Sequence, residues 1–221
     1  MIRRHPLRYE RKFALPLEGI EVSACLREHP ACFREAHPPR FVNSLYLDSH
    51  ALDQYRDVLD GVGDREKLRI RWYGDLHGRG SATLERKRRM GEVLLKEELG
   101  TGPWALEKDA DTAAVQRLLA GSPQMRMATG RLGPVLLVRY RRQYEVSADG
   151  RFRATVDTGL SWCPWRHGFP LAPLGPGAPA TVLEFKHAPD DEPDFRAMGS
   201  PFGSRLTRMS KYACGTSLSL D

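Results

Sequence analysis

The sequence predicts an α+β fold in which an eight-stranded antiparallel sheet closes into a barrel, with helices around its outside. Three observations lead there. Segments alternating in polarity recur eight times along the 221 residues, helical periodicity is confined to fewer stretches between them, and many strands carry cations along one whole face. Turn signals such as "LDGVGD", "DLHGRGS" and "SADGR" separate the strands and suit antiparallel connections.

In chain order, "LRYERKFAL" (7–15) opens the sheet and "LEGIEVSACLREH" (17–29) follows as a helix. "FVNSLYLD" (41–48) is the second strand. It leads into "SHALDQYRDVL", where Ser49 suits an N-cap and Leu52, Tyr55 and Leu59 share a side. "EKLRIRWYG" (66–74), "ATLERKRR" (82–89) and "GEVLLKEEL" (91–99) supply three strands, and "DTAAVQRLLAG" (111–121) the next helix. "PVLLVRYRRQYEV" (134–146), "FRATVDTGL" (152–160) and "ATVLEFKH" (180–187) complete the set, the last after a Pro/Gly-rich loop over 168–180. "SRLTRMSKYACG" reads as a final helix stopped by Gly215. There is no internal repeat, so residues 1–221 are expected to form a single domain.

Composition narrows the function. Lys plus Arg number 34 against 28 Asp plus Glu, a formal charge of +6 that suits a polyanionic partner but also ordinary solubility. Cys25, Cys32, Cys163 and Cys214 form no CxxC pair, so free thiols in a reducing compartment are expected. No apolar leader follows the basic N-terminus, and no run approaches the roughly 18 apolar residues of a membrane span. A cytoplasmic protein is the expectation. The chain lacks a GxxxxGK[ST] loop, a strand-linked GxGxxG, a nucleophile elbow and HExxH, which removes the usual nucleotide-cradling and hydrolase motifs.

The decisive pattern is in "KLRIRWYG". Strand side chains alternate, so Lys67, Arg69 and Arg71 lie about 6.6 Å apart on one face, opposite Leu68, Ile70 and Trp72. The same rule aligns Arg8, Glu10 and Lys12; Glu85, Lys87 and Arg89; Tyr140, Arg142 and Tyr144; Arg151, Arg153, Thr155 and Asp157; and Glu184 with Lys186. Over all these faces eleven cations stand against four acids. An ordinary water-facing strand mixes both signs, and here Arg11, Arg86, Arg88, Arg139 and Arg141 charge the opposite faces as well. Too little apolar surface remains for a two-layer core. A closed barrel resolves the conflict by lining a wet channel with the charges and turning apolar residues outward beneath helices. Dry burial of so many like charges would cost several kcal/mol each. Phe13, Tyr46, Trp72 and Tyr73 read as packing residues under those helices.

Rows of Arg and Lys match the oxygens of a linear phosphate polyanion. Carboxylates among them are poor phosphate ligands unless a divalent cation intervenes, which makes Glu10, Glu85 and Glu184 candidate ligands for Mg2+ or Mn2+. Metal and cations together would neutralise a transferring phosphoryl group.

Read in order, "RYERKF", "VNSLYLDS", "KLRIRWYG", "LERKRR", "VRYRRQYE", "RATVDTGL", "VLEFKH" and "SKYACG" resemble the VTC domain, the vacuolar transporter chaperone type of triphosphate tunnel metalloenzyme, within the CYTH-like superfamily. The resemblance runs from about residue 7 to 215. It implies an eight-stranded tunnel binding triphosphate or polyphosphate, and a polymerase that moves the γ-phosphate of ATP onto a growing polyphosphate chain. It also implies phosphate-binding or catalytic roles for Lys12, Arg69, Arg71, Lys87, Arg142, Arg153 and Lys211, and metal binding for Glu184. Arg8, Lys67, Arg89 and Lys186 are expected to support them, with Glu10 and Glu85 as further metal candidates.

One position departs from the pattern. The ExExK signature of the wider group begins here with Arg8, which leaves Glu10 and Lys12 and favours the polymerase branch. A metal-dependent triphosphatase and a non-catalytic polyphosphate sensor or accessory domain are the alternatives. Nucleic acid is not an expected partner, because the cations alternate within strands and aromatics are not interleaved among them. A membrane-protein partner that translocates the product stays open.

Overall fold

The computed structural model describes residues 2–106, 112–121, 123–165, 172–173, 179–198, 206–207 and 209–220. Among the described residues there are ten strands: β1 (Arg3–Arg4), β2 (Tyr9–Leu15), β3 (Arg34–Asp48), β4 (Asp64–Tyr73), β5 (Gly78–Met90), β6 (Val93–Leu106), β7 (Gly133–Val146), β8 (Arg153–Pro164), β9 (Ala172–Pro173) and β10 (Thr181–His187). They form one antiparallel sheet, ordered β1-β6-β5-β4-β3-β7-β8-β10-β2, with β9 pairing β8 off that path. All eight expected strands are present.

The expected eight-stranded closed barrel is not. Nine strands lie on the path, and its ends, β1 and β2, do not pair with each other. They are consecutive in the chain, and among the described residues the seam is crossed by the isolated backbone bridge Arg8–Leu94 and by the side-chain pairs Lys87–Glu10 and Arg11–Glu92. The ladder of β1 on β6 ends at His5, and beyond Arg8 the chain pairs along β10 instead.

Alternation does sort the faces. Leu68, Ile70 and Trp72 of β4 turn outward and pack with Leu45, Leu84 and Trp104 beneath α3 (Thr112–Ala120) and α4 (Pro123–Thr129). Phe13, Leu15, Val156, Leu183 and Phe185 make a second outward core with Val22 and Leu26 of α1 (Gly19–Glu28) and Phe195 of α5 (Glu192–Met198). A third cluster holds Val42, Leu136, Val138, Leu160, Trp162 and Val182 against Tyr55 of α2 (Asp53–Leu59) and Tyr212 of α6 (Lys211–Leu220). By strand parity Val42 and Val182 lie on the inward face with Arg142 and Glu184. The inner face is therefore charged over part of its length and apolar where α6 fills it.

Helix boundaries differ in instructive ways. α6 begins at Lys211 and runs through Gly215 instead of ending there. A Cβ at Gly215 would sit 2.8 Å from Leu136 Cδ2 and 3.2 Å from the Trp162 ring, so this glycine permits close approach and does not cap the helix. α2 starts later than Ser49, whose hydroxyl accepts from Asp53 N–H while Asp48 accepts from Gln54 and Tyr55 N–H. Leu59 is exposed, not packed. α4 and α5 had no clear sequence signal. Most of the 168–180 loop lies outside the described residues. All four cysteines are free thiols, and no helix among the described residues is long and apolar enough to cross a membrane.

Candidate functional site

Inward side chains surround a cavity of about 680 Å³. From β4 come Lys67, Arg69 and Arg71; from β2, Arg8 just before it, Glu10 and Lys12; from β5, Lys87. β7 supplies Arg142, β8 Arg153, β10 Glu184 and Lys186, and the first turn of α6 delivers Lys211. Twelve of the fourteen expected site residues thus share one cavity. Arg89 lines an adjoining recess of about 70 Å³ with Lys12, Lys67 and Lys87, and its Nε donates to the Gly91 carbonyl at 2.7 Å. Glu85 stands behind the wall. Arg151, expected on the same face, points away and pairs with Asp149, Asp191 and Asp194, because it precedes β8 and the alternation starts only at Arg153.

Three charge clusters organise the wall. Glu85 accepts from Arg69 at 2.8 Å and from Lys96 at 2.7 Å, with Arg71 at 3.7 Å. Burial opposes its charge, but Arg71, Arg69 and Lys96 hold the carboxyl far below the usual range. Both its oxygens are engaged by cations, so Glu85 aims the arginines. Arg71 also donates to Ser44 Oγ and to the Tyr140 hydroxyl at 3.1 Å.

In the second cluster, Arg142 donates through Nε and Nη2 to Asp157 at 2.6 and 2.7 Å, and Lys211 donates to the same carboxylate at 2.6 Å. Asp157 is fully buried, yet these two cations hold its pKa at about 2. This fork against a carboxylate fixes the guanidinium plane.

The third cluster spans β2, β5 and β10. Lys87 donates to Glu10 at 2.5 Å, Arg8 lies 3.3 Å from Glu10, and Lys12 and Lys186 lie 3.3 and 2.8 Å from Glu184. Burial and mutual repulsion oppose ionisation of Glu10, but Lys87, Lys12 and Lys186 keep it below the usual carboxylate range, and Glu184 is lowered likewise by Lys186, Lys12 and Lys87. Burial, only partly countered by these acids, brings Lys87 down to about 7, while burial and the neighbouring cations Lys12 and Lys87 push Lys67 well below the usual lysine range, where it donates to Ser210 Oγ. Thr155, the cross-strand neighbour of Glu184, has a buried hydroxyl oxygen without a hydrogen-bond partner.

One expected packing residue, Tyr73, instead faces the cavity, whereas Tyr46 packs as expected, stacked on Tyr212 of α6 at 4.9 Å between ring centroids, while its hydroxyl at the cavity wall accepts from Arg69. Both share β-parity with Arg69 and Arg71 across β3 and β4. Phe13 and Trp72 do pack outward. Sequence reasoning overlooked Lys96 as a site residue, although it alternates with Leu94 and Glu98. It also overlooked Ser210 and the Arg34–His37 stretch, which carried no periodic signal.

The sequence profile of the VTC domain matches residues 7–220. The chain belongs to the VTC domain family. No curated protein sequence matches it. Among solved structures this VTC domain resembles triphosphate tunnel (CYTH-like) proteins. One, from Hippeastrum, is named as an adenylyl cyclase with a dominant triphosphatase activity; it shares 16% identity at a TM-score of 0.53, over 96% of this chain and 95% of its own. A Pyrococcus horikoshii protein shares 15% at 0.51, over 97% and 99%. A Vibrio parahaemolyticus protein named as an adenylate cyclase shares 10% at 0.53, over 94% and 97%. At such identities the likeness establishes the VTC domain's fold alone.

Proposed function

We propose that this VTC domain transfers the γ-phosphate of ATP onto a growing inorganic polyphosphate chain. The observation that carries the reading is the convergence of cations, most of them partly buried, from the strands and α6 on one cavity, with ionised Glu10 and Glu184 on one wall. Arg69, Arg71 and Arg142, pre-aimed by Glu85 and Asp157, bind the donor phosphates; Lys12, Lys87 and Lys211 neutralise charge that builds on the transferring group. A terminal phosphate oxygen of the chain attacks the γ-phosphorus, the bond to the β–γ bridging oxygen breaks, and ADP leaves. No side-chain nucleophile takes part.

The donor set fits a divalent ion. Glu10, Glu184 and the unpartnered Thr155 oxygen are hard donors on adjacent strands, and substrate phosphates complete the shell that Mg2+ or Mn2+ prefers. Among the described residues no group of three His, Cys, Asp or Glu gathers as a metal site, here or elsewhere, so an ion at Glu10 and Glu184 would depend on substrate oxygens. When bound, the ion polarises the γ-phosphoryl oxygens.

Hydrolysis is the second reading, favoured by the triphosphatase activity named for the Hippeastrum neighbour. Against it, Arg8 replaces the first carboxylate of the ExExK signature, and Arg8 and Lys87 engage both oxygens of Glu10; Glu145, whose buried Oε2 has no hydrogen-bond partner, is the other carboxylate at the cavity that hydrolysis would call on. Phosphorus NMR of the protein with ATP and Mn2+ separates the outcomes: chain-interior signals mean polymer, orthophosphate alone means hydrolysis, and an unchanged spectrum means a binding module. Arg71→Ala and Glu184→Ala should each abolish the polymer.

A further inference from the structure

Phosphate binding accounts for the cations but not for the aromatic rim at the cavity's open end. Tyr73 ends β4 one alternation step beyond Arg71, and it is 45% exposed. On β7, Tyr144 lies one step beyond Arg142, in edge contact with His37 of β3 at 5.8 Å between ring centroids. Arg40 ties the tyrosines together. Its guanidinium lies 3.8 Å over the Tyr73 ring and 5.1 Å from that of Tyr144, and its Nε donates to the Tyr144 hydroxyl at 3.0 Å. Tyr73, Tyr144 and His37 line the same cavity as the arginines. Three rings held at the mouth of a polar cavity contribute little to any of the three cores, and none belongs to one.

We propose that this rim is a nucleobase subsite, in which the base of a nucleoside triphosphate stacks at Tyr73 and Tyr144 while its phosphates point inward along Arg71 and Arg69. The inference rests on the phosphate-transfer reading and adds the part of the donor that reading leaves unplaced. Strand geometry sets the scale: alternate residues of β4 are about 6.6 Å apart. A triphosphate whose far end reaches Arg69 therefore has its ester end near Arg71, which carries ribose and base to Tyr73. The opposite orientation is blocked, because Met209 and Ser210 narrow the far end to the recess of about 70 Å³. Stacking uses the π-face common to all bases, and the Tyr144 hydroxyl is already engaged by Arg40. The rim consequently distinguishes a nucleoside triphosphate from an inorganic one without reading base edges, and the larger purines gain most.

Isothermal titration of the full chain with ATP and, separately, inorganic tripolyphosphate, both without metal, tests the proposal in wild type, Tyr73→Ala, Tyr144→Ala and Tyr73→Phe. Loss of one stacking platform costs about 1–3 kcal/mol, and an exposed rim belongs at the low end. ATP affinity should fall roughly five- to tenfold in each alanine variant, tripolyphosphate affinity should stay within twofold, and Tyr73→Phe should match wild type. Equal losses for both ligands, or no loss for either, overturn the subsite. A wild-type chain that binds neither ligand overturns the phosphate reading itself, and this inference with it.

Discussion

Replacing Asp157 with Asn removes one buried charge while keeping side-chain size. It leaves Arg142 and Lys211, both within 2.7 Å of the lost carboxylate, facing each other uncompensated. Two estimates of the cost agree. The fall of the Asp157 pKa from its ordinary 3.8 to about 2 corresponds to roughly 2.5 kcal/mol of favourable interaction. Breaking a buried pair by deleting one partner typically costs about 3–5 kcal/mol, and the wet cavity beside Arg142 places this case at the lower bound. A loss of about 3 kcal/mol lowers the melting temperature of a domain this size by about 6–12 °C. The same change makes the cavity more positive, so tripolyphosphate, acting as the missing counter-ion, should bind about tenfold more tightly, a small part of the Coulomb energy of one charge a few ångströms away at an effective dielectric near 20. Scanning fluorimetry with and without tripolyphosphate reads both effects: Asp157→Asn starts lower and is raised further by ligand. A variant that melts like wild type, or one whose ligand-induced rise shrinks, would show that Asp157 is not a stand-in for phosphate.

Further outcomes follow from the other clusters. Glu85→Gln, which likewise takes the carboxylate charge away from Arg69, Arg71 and Lys96, should lower the melting temperature and tighten tripolyphosphate binding; scanning fluorimetry and equilibrium titration check it. Lys87, titrating at about 7 in the unliganded fold, should take up a proton when a polyanion enters at pH 8. Affinity in metal-free buffer should therefore weaken as pH rises from 6 to 8, and binding heats should vary with buffer ionisation enthalpy. Without ligand the sign reverses: the unfolded chain holds the Lys87 proton up to about 10.5, so this group's contribution to stability grows as pH climbs from about 7. Thr155→Val should raise the Mn2+ concentration for half-maximal turnover about tenfold while leaving the melting temperature unchanged. Gly215→Val should destabilise by about 1–3 kcal/mol, since its side chain meets Leu136 and Trp162, measurable by chemical denaturation.

Much of the wall was legible because period-two alternation is local. Knowing that Lys67, Arg69 and Arg71 share a face requires only the strand, and the same holds for Glu184 with Lys186. What failed was information carried by other segments. Pro38 and Pro39 disguise the first half of β3, whose pairing with β7 shifts register there, so Arg34 and His37 at the mouth went unseen. Tyr73 has the composition of a packing residue; only its parity with Arg71 places it inside. Gly215 reads as a helix stop until Leu136 and Trp162, far away in sequence, are brought against it.

The pairing of β2 with β10 sets a timetable for biosynthesis. Residues 9–15 find their long ladder only when 181–187 have been made, roughly 170 residues and, at about 5–20 residues per second, some ten to thirty seconds later. Until then "YERKFAL" is an orphan strand, the kind of segment that invites aggregation. Its Glu10, Arg11 and Lys12 act as gatekeepers during that wait, so the charges assigned to phosphate in the finished domain would first serve to keep the nascent chain solitary.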